Sequence, residues 1–321
     1  MLPTKNGVGP SVVGLPKHEA KDNSMQGRTP WITITDFLVD RFPAIPRATW
    51  LQRMADGDVE DEFGVAVTPK RPYQGHIRVY YYRNLSHVVE VEEHIPFDEV
   101  ILHQDEHLIV VDKPHFLPVT PSGKYLQETV LVRLKRKLGL DDLIPIHRID
   151  RDTAGLVLFS VQPASRNVYQ ALFRDRAVHK TYEAIAPWRP DLVFPSRFPI
   201  TRHSRIVGDT SEGRGFMTQT EVEVTRHAPL NALTHIQVLE VKGNFARYEL
   251  KPVTGKRHQL RVHMHALGLP IVGDGIYPML TPEGQMDYKN PLQLLAKSIE
   301  WTDPMTGVLR RFQSQQKLSY L

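Results

Sequence analysis

Residues 146–159, IHRIDRDTAGLVLF, constrain the fold more than any other stretch of the chain. A run of charged or titratable side chains, His147, Arg148, Asp150, Arg151 and Asp152, leads directly into Gly155 and the apolar segment Leu156, Val157, Leu158 and Phe159. A short uninterrupted apolar segment behind a turn predicts a strand covered on both faces. The charges therefore stand at the edge of a core. A carboxylate flanked by two arginines is favoured in its ionised form, and at such a turn it is partly shielded from water yet open to a substrate. Asp150 is the candidate for chemistry. An isolated Arg-x-Asp is more often a solvated turn closed by an ion pair, so other motifs must support it.

Two other stretches do so. They are DKPHFLPVTPSG at 112–123 and KPVTGKRHQLRVHMHALGLPIVGD at 251–274. With HRIDRDTAG between them, they resemble the catalytic domain of the RluA family of RNA pseudouridine synthases, whose central motif reads HRLDxxTSG. The resemblance spans roughly residues 99–304, and several motifs in order make it specific. It places the catalytic aspartate on Asp150, the base-displacing arginine on Arg148 and the aspartate's ion-pair partner on Arg261. The pair Lys180-x-Tyr182 is similar to the family's second motif, whose tyrosine stacks on the target uracil. Leu260 would pack beside the flipped base. His147, Lys113 and Lys180 complete the candidate substrate-binding set. Lys256 stands at the first basic position of the third motif, and Phe116 and Thr120 replace the usual glycine and histidine of the first. Gly273 and Asp274 resemble a structural turn.

The resemblance implies an α+β pseudouridine synthase catalytic fold, a mixed, mostly antiparallel sheet split by a central cleft. It also implies isomerisation of specific uridines to pseudouridine in structured RNA, ribosomal or transfer, by base flipping and an aspartate-dependent mechanism. No cofactor or metal is needed, because the leaving base is itself the incoming nucleophile. An arginine beside the aspartate would hold it in a fixed bidentate geometry.

Composition is compatible with this. The 321 residues allow two domains, with 41% hydrophobic and 24% charged residues in ordinary globular balance. A net charge of +4 and a pI near 9.1 favour a polyanionic partner without demanding one. The absence of cysteine excludes disulfides, thiolate metal sites and cysteine nucleophiles. No apolar run approaches the ~20 residues that cross a bilayer, and the N-terminal residues lack a secretory layout. The expectation is a cytoplasmic monomer with no membrane partner and no nucleotide cofactor.

Residues 1–30, polar with glycines and prolines, predict a flexible arm. Ile34, Phe37, Leu38 and Phe42 predict a helix, Pro43 and Pro46 a break, and Trp50, Leu51 and Met54 a second helix ended by Gly57. Short strands follow to Tyr80. This order makes 31–83 resemble a small α/β-type S4 RNA-binding module. Its helices offer only Arg47 and Arg53, and Asp56, Asp58, Glu60, Asp61 and Glu62 would repel phosphate. Residues 84–98 read as a linker and 99–321 as the catalytic domain.

Within the latter, strands are expected at 100–102, 108–111, 178–186, 217–224, 233–241 and 245–252, pairing mostly antiparallel. A helix at 128–138 would turn Val130, Leu131, Leu134 and Leu138 inward. Arg133, Lys135, Arg136 and Lys137 would face outward as candidate phosphate contacts. A helix at 165–173 would bury Val168, Leu172 and Phe173. His258, His263 and His265 are read as structural: a His-x-His on a helix points its rings apart, and no acidic third ligand has suitable spacing.

Two other classes compete. A retaining glycosidase needs a second carboxylate about 5 Å from the first, and Asp152, two residues along a turn, is poorly placed for it. A non-catalytic RNA-binding protein would not need Asp150, Arg148, Tyr182 and Arg261 together.

Overall fold

Local chemistry accounts for the first two helices. Thr33 caps α1, Ile34–Arg41, in a reciprocal capping box: its hydroxyl accepts the Asp36 N–H at 3.1 Å, and Asp36 accepts the Thr33 N–H at 3.0 Å. Pro46 stands at the N-cap of α2, Arg47–Ala55, and the chain leaves it at Gly57 with φ of 72°. The computed structural model describes residues 4–5, 7–17, 31–83, 92–123, 125–190, 198–209, 218–281 and 287–319. They fall into two units. One comprises 1–94, 121–128 and 132–141, and the other 95–120, 129–131 and 142–321.

In the first unit, β1 (Ser11–Gly14), β2 (Val59–Asp61) and β3 (Arg78–Tyr81) form an antiparallel sheet in the order β1-β3-β2. This sheet shares a core with Ile34, Phe37, Leu38 and Trp50 of the helices. The flexible-arm expectation therefore fails at residues 11–14. Four residues are too few to show a period, and it is the open edge of β3 that makes them a strand. Residues 18–30, and 84–91 of the expected linker, lie outside the described set. Residues 121–128, expected in the catalytic domain, group with this unit for a local reason. The Glu92 carboxylate accepts the backbone N–H groups of Leu126, Gln127 and Glu128 at 2.7–2.8 Å, and Arg83 donates to the Pro121 carbonyl at 3.2 Å.

The charges of this unit also differ from expectation. Arg53 is buried with its guanidinium 5.0 Å from the Trp50 ring centre, and Arg47 pairs with Asp36 at 2.8 Å. In the acidic loop, Asp58 and Asp61 turn inward. Asp58 pairs with Lys5; Asp61 pairs with Arg71 at 2.5 Å and accepts the N–H groups of Phe63 and Val65. Tertiary burial neutralises groups that a sequence presents as surface charge.

The second unit is organised by one sheet, in the order β10-β9-β11-β12-β8-β13-β7-β5-β4. Its strands are β4 (Val100–Gln104), β5 (Leu108–Lys113), β6 (Ile144–Pro145), β7 (Ala154–Ser160), β8 (His179–Pro187), β9 (Ile200–Gly208), β10 (Gln219–Val222), β11 (Ala232–Lys242), β12 (Phe245–Pro252), β13 (Leu294–Thr302) and β14 (Leu309–Gln313). β6 and β14 pair at the sides, with β7 and β13. The pairings are antiparallel except β7 with β13, a parallel ladder of only two residue pairs, Leu295 with Ala154 and Ala296 with Gly155. The sheet halves meet there, each with its own core. One core gathers Tyr248, Leu250, Leu260 and Leu294, and the other Leu108, Leu158, Tyr169 and Trp301.

β9 and β14 were not expected. Their residues, ITRHSRIVG and LRRFQ, carry little apolar alternation, and they become strands by pairing with β10, β11 and β13. α3 is Val130–Leu138, where Val132 is buried in place of Leu131, and Lys135 is buried rather than outward. Arg133 pairs with Glu128, leaving Arg136 and Lys137 as the exposed cations. In α4, Pro163–Arg174, Ser165 and Tyr169 are buried while Val168 is exposed, because the Tyr169 hydroxyl reaches Asp303 at 3.2 Å.

Candidate active site

The turn before β7 is fastened from beneath. Lys113, at the end of β5, is completely buried, and its ammonium donates to the carbonyls of Pro114 and Arg151, both at 2.8 Å. The His115 ring hydrogen-bonds to the Asp152 carbonyl at 2.7 Å, and the Thr153 N–H donates to the Asp150 carbonyl at 3.2 Å. Burial pushes the Lys113 ammonium down to about 7, against the pull of Asp152 and Asp150. Lys113 was expected to bind substrate, but two of its three donors are taken by backbone carbonyls, one of them in the loop that carries Asp150. Gly155 has φ of 107°, and a Cβ there would stand 2.3 Å from the Ala296 carbonyl oxygen. Only glycine admits β13 so close.

α5, Gln259–Ala266, supplies the arginine. Gln259 folds the turn before it, accepting the Thr254 hydroxyl proton at 2.7 Å and the Lys256 N–H at 3.0 Å and donating to the Leu233 carbonyl at 3.0 Å. Arg261 is buried beside Leu260 and divides its donors unequally. Nε and Nη2 bind Asp274 at 2.8 and 2.5 Å, while Nη1 reaches Asp150 Oδ2 at 3.3 Å. The bidentate partner is thus Asp274, and the expected bidentate pair with Asp150 is replaced by a single contact. Burial opposes the charge of Arg261, but the Asp274 hydrogen bonds and the carboxylates of Asp150 and Asp152 hold it above the usual arginine range.

Asp150 keeps 26% of its side chain exposed, whereas Asp274 is 0% exposed. The first is presented and the second is scaffold. Asp152 is engaged by Arg151 at 2.7 Å; burial opposes its ionisation, but Arg151, Arg261 and Lys113 hold its carboxyl below the usual range.

Tyr182 lies on β8, in register with Ala296 and Leu250, and packs against the core that contains Leu260. Burial, and then the charge of Asp150, raise its hydroxyl well above the ordinary tyrosine range, so it stays protonated. Arg148 is exposed, and no ion pair or hydrogen bond holds its guanidinium among the described residues. Lys180 is half-buried with its ammonium lowered by burial.

His147 is placed structurally. Its Nε2 accepts the Leu158 N–H at 3.2 Å and its ring stacks on Phe173 at 4.5 Å; burial, then Lys180, push it down to about 3. The other histidines are also engaged. His263 is held by the hydroxyls of Ser204 and Thr234, each at 3.0 Å. His258 meets the Tyr277 hydroxyl at 3.1 Å. Among the described residues no cluster is arranged to hold a metal ion, and no helix is long and apolar enough to cross a membrane.

The structure brings Asp150, Arg261, Tyr182 and Leu260 together, and it adds Asp274 and His258, which sequence reasoning had read as structural. The signal for Asp274 was a lone carboxylate inside PIVGDGIY, an apolar context where a charge must have a partner.

Comparison with known proteins supplies the family. A family model described as RNA pseudouridylate synthase matches residues 107–266. The dual-specificity RNA pseudouridine synthase RluA of Escherichia coli (strain K12) is 32% identical over 216 residues, 65% of this chain and 89% of that protein. An uncharacterised RNA pseudouridine synthase of Synechocystis is 29% identical over 248 residues, 75% of this chain and 78% of that one. Among solved structures, human RNA pseudouridylate synthase domain containing 4 is similar with a TM-score of 0.51 at 27% identity, covering 68% of this chain and 88% of that chain. Human RNA pseudouridylate synthase domain containing 1, with a TM-score of 0.54 at 23% identity over 68% of this chain and 84% of its own, shares the fold. With its halves joined at Gly155 and a presented carboxylate on a buried arginine, the chain belongs to the RluA family of RNA pseudouridine synthases, which isomerise uridine to pseudouridine in RNA.

Proposed function

We propose that Asp150 is the reacting carboxylate and that the substrate is a uridine in structured ribosomal or transfer RNA, flipped from its stack. Extrusion costs a few kcal/mol, and Arg148, exposed and unheld, enters the vacated space. The uracil then stacks on Tyr182, with Leu260 at its edge. Asp150 acts at the sugar or the base while the N1–C1′ bond breaks. The uracil turns within the site, C5 bonds to C1′, the C5 proton leaves and N1 takes up a proton. Nothing is consumed. Arg261 keeps the carboxylate aimed throughout. The half-buried Lys180 contributes positive charge near the phosphates.

The observation that carries this reading is the contrast on one guanidinium: a completely buried Asp274 that fixes Arg261, and a partly exposed Asp150 that Arg261 holds by a single nitrogen. The test is a carbodiimide pseudouridine map of total RNA from cells with and without the gene, complemented by wild type or Asp150→Asn. Sites that vanish on deletion and return only with the wild type support the assignment and name the substrate. Full restoration by Asp150→Asn would remove it.

A further inference from the structure

A second polar chain leads to the Asp150 oxygen that Arg261 does not contact. His258 precedes α5 at φ 53° and ψ 16°, in the left-handed region, and only 8% of it is exposed. That backbone costs a non-glycine residue roughly 1–2 kcal/mol, and such strain persists where the side chain is needed. Its Nε2 faces Asp150 Oδ1 at 3.9 Å, while Asp150 Oδ2 is the oxygen on Arg261. Its Nδ1 lies 3.1 Å from the Tyr277 hydroxyl, and that oxygen accepts the Gln219 N–H at 2.8 Å.

These contacts determine where the ring proton resides. The groups facing His258 are Asp150, Arg261, Arg257, Asp274 and Tyr277; burial outweighs the carboxylates and lowers the ring's pKa, so it carries one proton. With that proton on Nδ1, a bare nitrogen lone pair would face a carboxylate oxygen. With it on Nε2, Tyr277 donates to Nδ1, the Gln219 N–H meets the hydroxyl oxygen, and an N–H points at Asp150. Only the second arrangement gives the Tyr277 hydroxyl proton an acceptor and turns a donor rather than a lone pair toward Asp150.

We propose that His258 is a positioning residue for the isomerisation, donating its Nε2 proton to Asp150 Oδ1 as the site fills, with Tyr277 setting the tautomer. The present 3.9 Å is too long for a hydrogen bond, and catalytic hydrogen bonds commonly tighten on loading. Both carboxylate oxygens are then held, one by Arg261 and one by His258. The inference rests on the reading of Asp150 as the reacting carboxylate.

The test uses the full chain and RNA carrying [5-³H]uridine, prepared from cells lacking the gene, with tritium release followed under single-turnover conditions. Asp150→Asn comes first: if it releases tritium normally, the reading of Asp150 fails, whatever His258 does. His258→Leu keeps much of the volume without a donor and is expected to slow release about 10- to 100-fold, the value of a hydrogen bond to a charged group, with RNA affinity unchanged. His258→Gln retains an N–H at the ε position and is expected to recover most of that loss. In ¹⁵N spectra the wild-type ring should show a protonated Nε2 and a bare Nδ1, and Tyr277→Phe should yield a mixture of tautomers and an altered pH–rate profile. Equal rates for the Gln and Leu variants, a loss confined to RNA affinity, or protonation at Nδ1 would overturn the proposal. If His258→Leu does not fold, the tautomer and pH readings on the wild type and Tyr277→Phe decide it alone.

Discussion

Asp274 grips Arg261 with both carboxylate oxygens, at 2.8 and 2.5 Å, while Asp150 receives one nitrogen of the same guanidinium at 3.3 Å. The anchor is stronger than the contact to Asp150. A carboxylate that must change partners during a reaction is served by a cation that does not move when it does.

Asp274→Asn tests that division. It leaves Arg261 charged and buried without its full partner, a change that costs about 3–5 kcal/mol when a buried pair is broken. Urea unfolding should show that loss, and tritium release should fall with it. Asp150→Asn, at the exposed end of the network, should abolish release with much less effect on the unfolding midpoint.

Gly155→Ala should disrupt the junction of the sheet. The new Cβ would meet backbone of Ala296 at 2.3–2.8 Å, and backbone cannot give way as a side-chain tip can. Overpacking and a φ of 107° together predict a loss of about 3 kcal/mol or more. Gly255→Ala is the control, since no heavy atom lies within 4 Å of its added Cβ. Thermal denaturation of both variants gives the comparison, and equal melting points would contradict it.

Lys113 makes stability depend on pH. Its ammonium is pushed from 10.5 to about 7 by burial, so across that interval the unfolded chain binds a proton that the folded chain has released. Folding stability should therefore rise with pH between those values, through this group. Lys113→Met removes the titration along with two hydrogen bonds to backbone carbonyls, one of them in the Asp150 loop. The stability advantage of the wild type over Lys113→Met, from denaturant titrations, should grow as pH is raised from about 7 to about 10. A constant difference would show that Lys113 titrates normally.

Arg148→Ala should separate function from folding. The side chain is exposed and unheld among the described residues, so its removal should change stability by less than about 0.5 kcal/mol. Tritium release should fall substantially if Arg148 fills the space the uracil vacates. Unchanged release would exclude Arg148 from the flipping step.

By itself the sequence determined the elements whose residues interact locally and the motifs whose chemistry is uncommon. The helices around Phe37 and Trp50, the doubly buried β7 and the TGK turn were legible, because periodicity, turn residues and a charge cluster beside an apolar run are one-dimensional signals, whereas Arg148, Tyr182 and Arg261 were singled out only by the resemblance of their motifs. Only the tertiary structure decided which charges are presented and which are scaffold. Lys113, Asp274 and His147 look like site residues or surface charge on paper, and each is consumed by a backbone or guanidinium partner brought from elsewhere in the chain. The same holds for β9 and β14, whose strand character comes from neighbours, and for Arg53 and Asp61, whose charges are buried. Desolvation and partner choice depend on which groups meet across long sequence separations, as the Lys113 ammonium meets the Arg151 carbonyl 38 residues along the chain, and no local pattern encodes that.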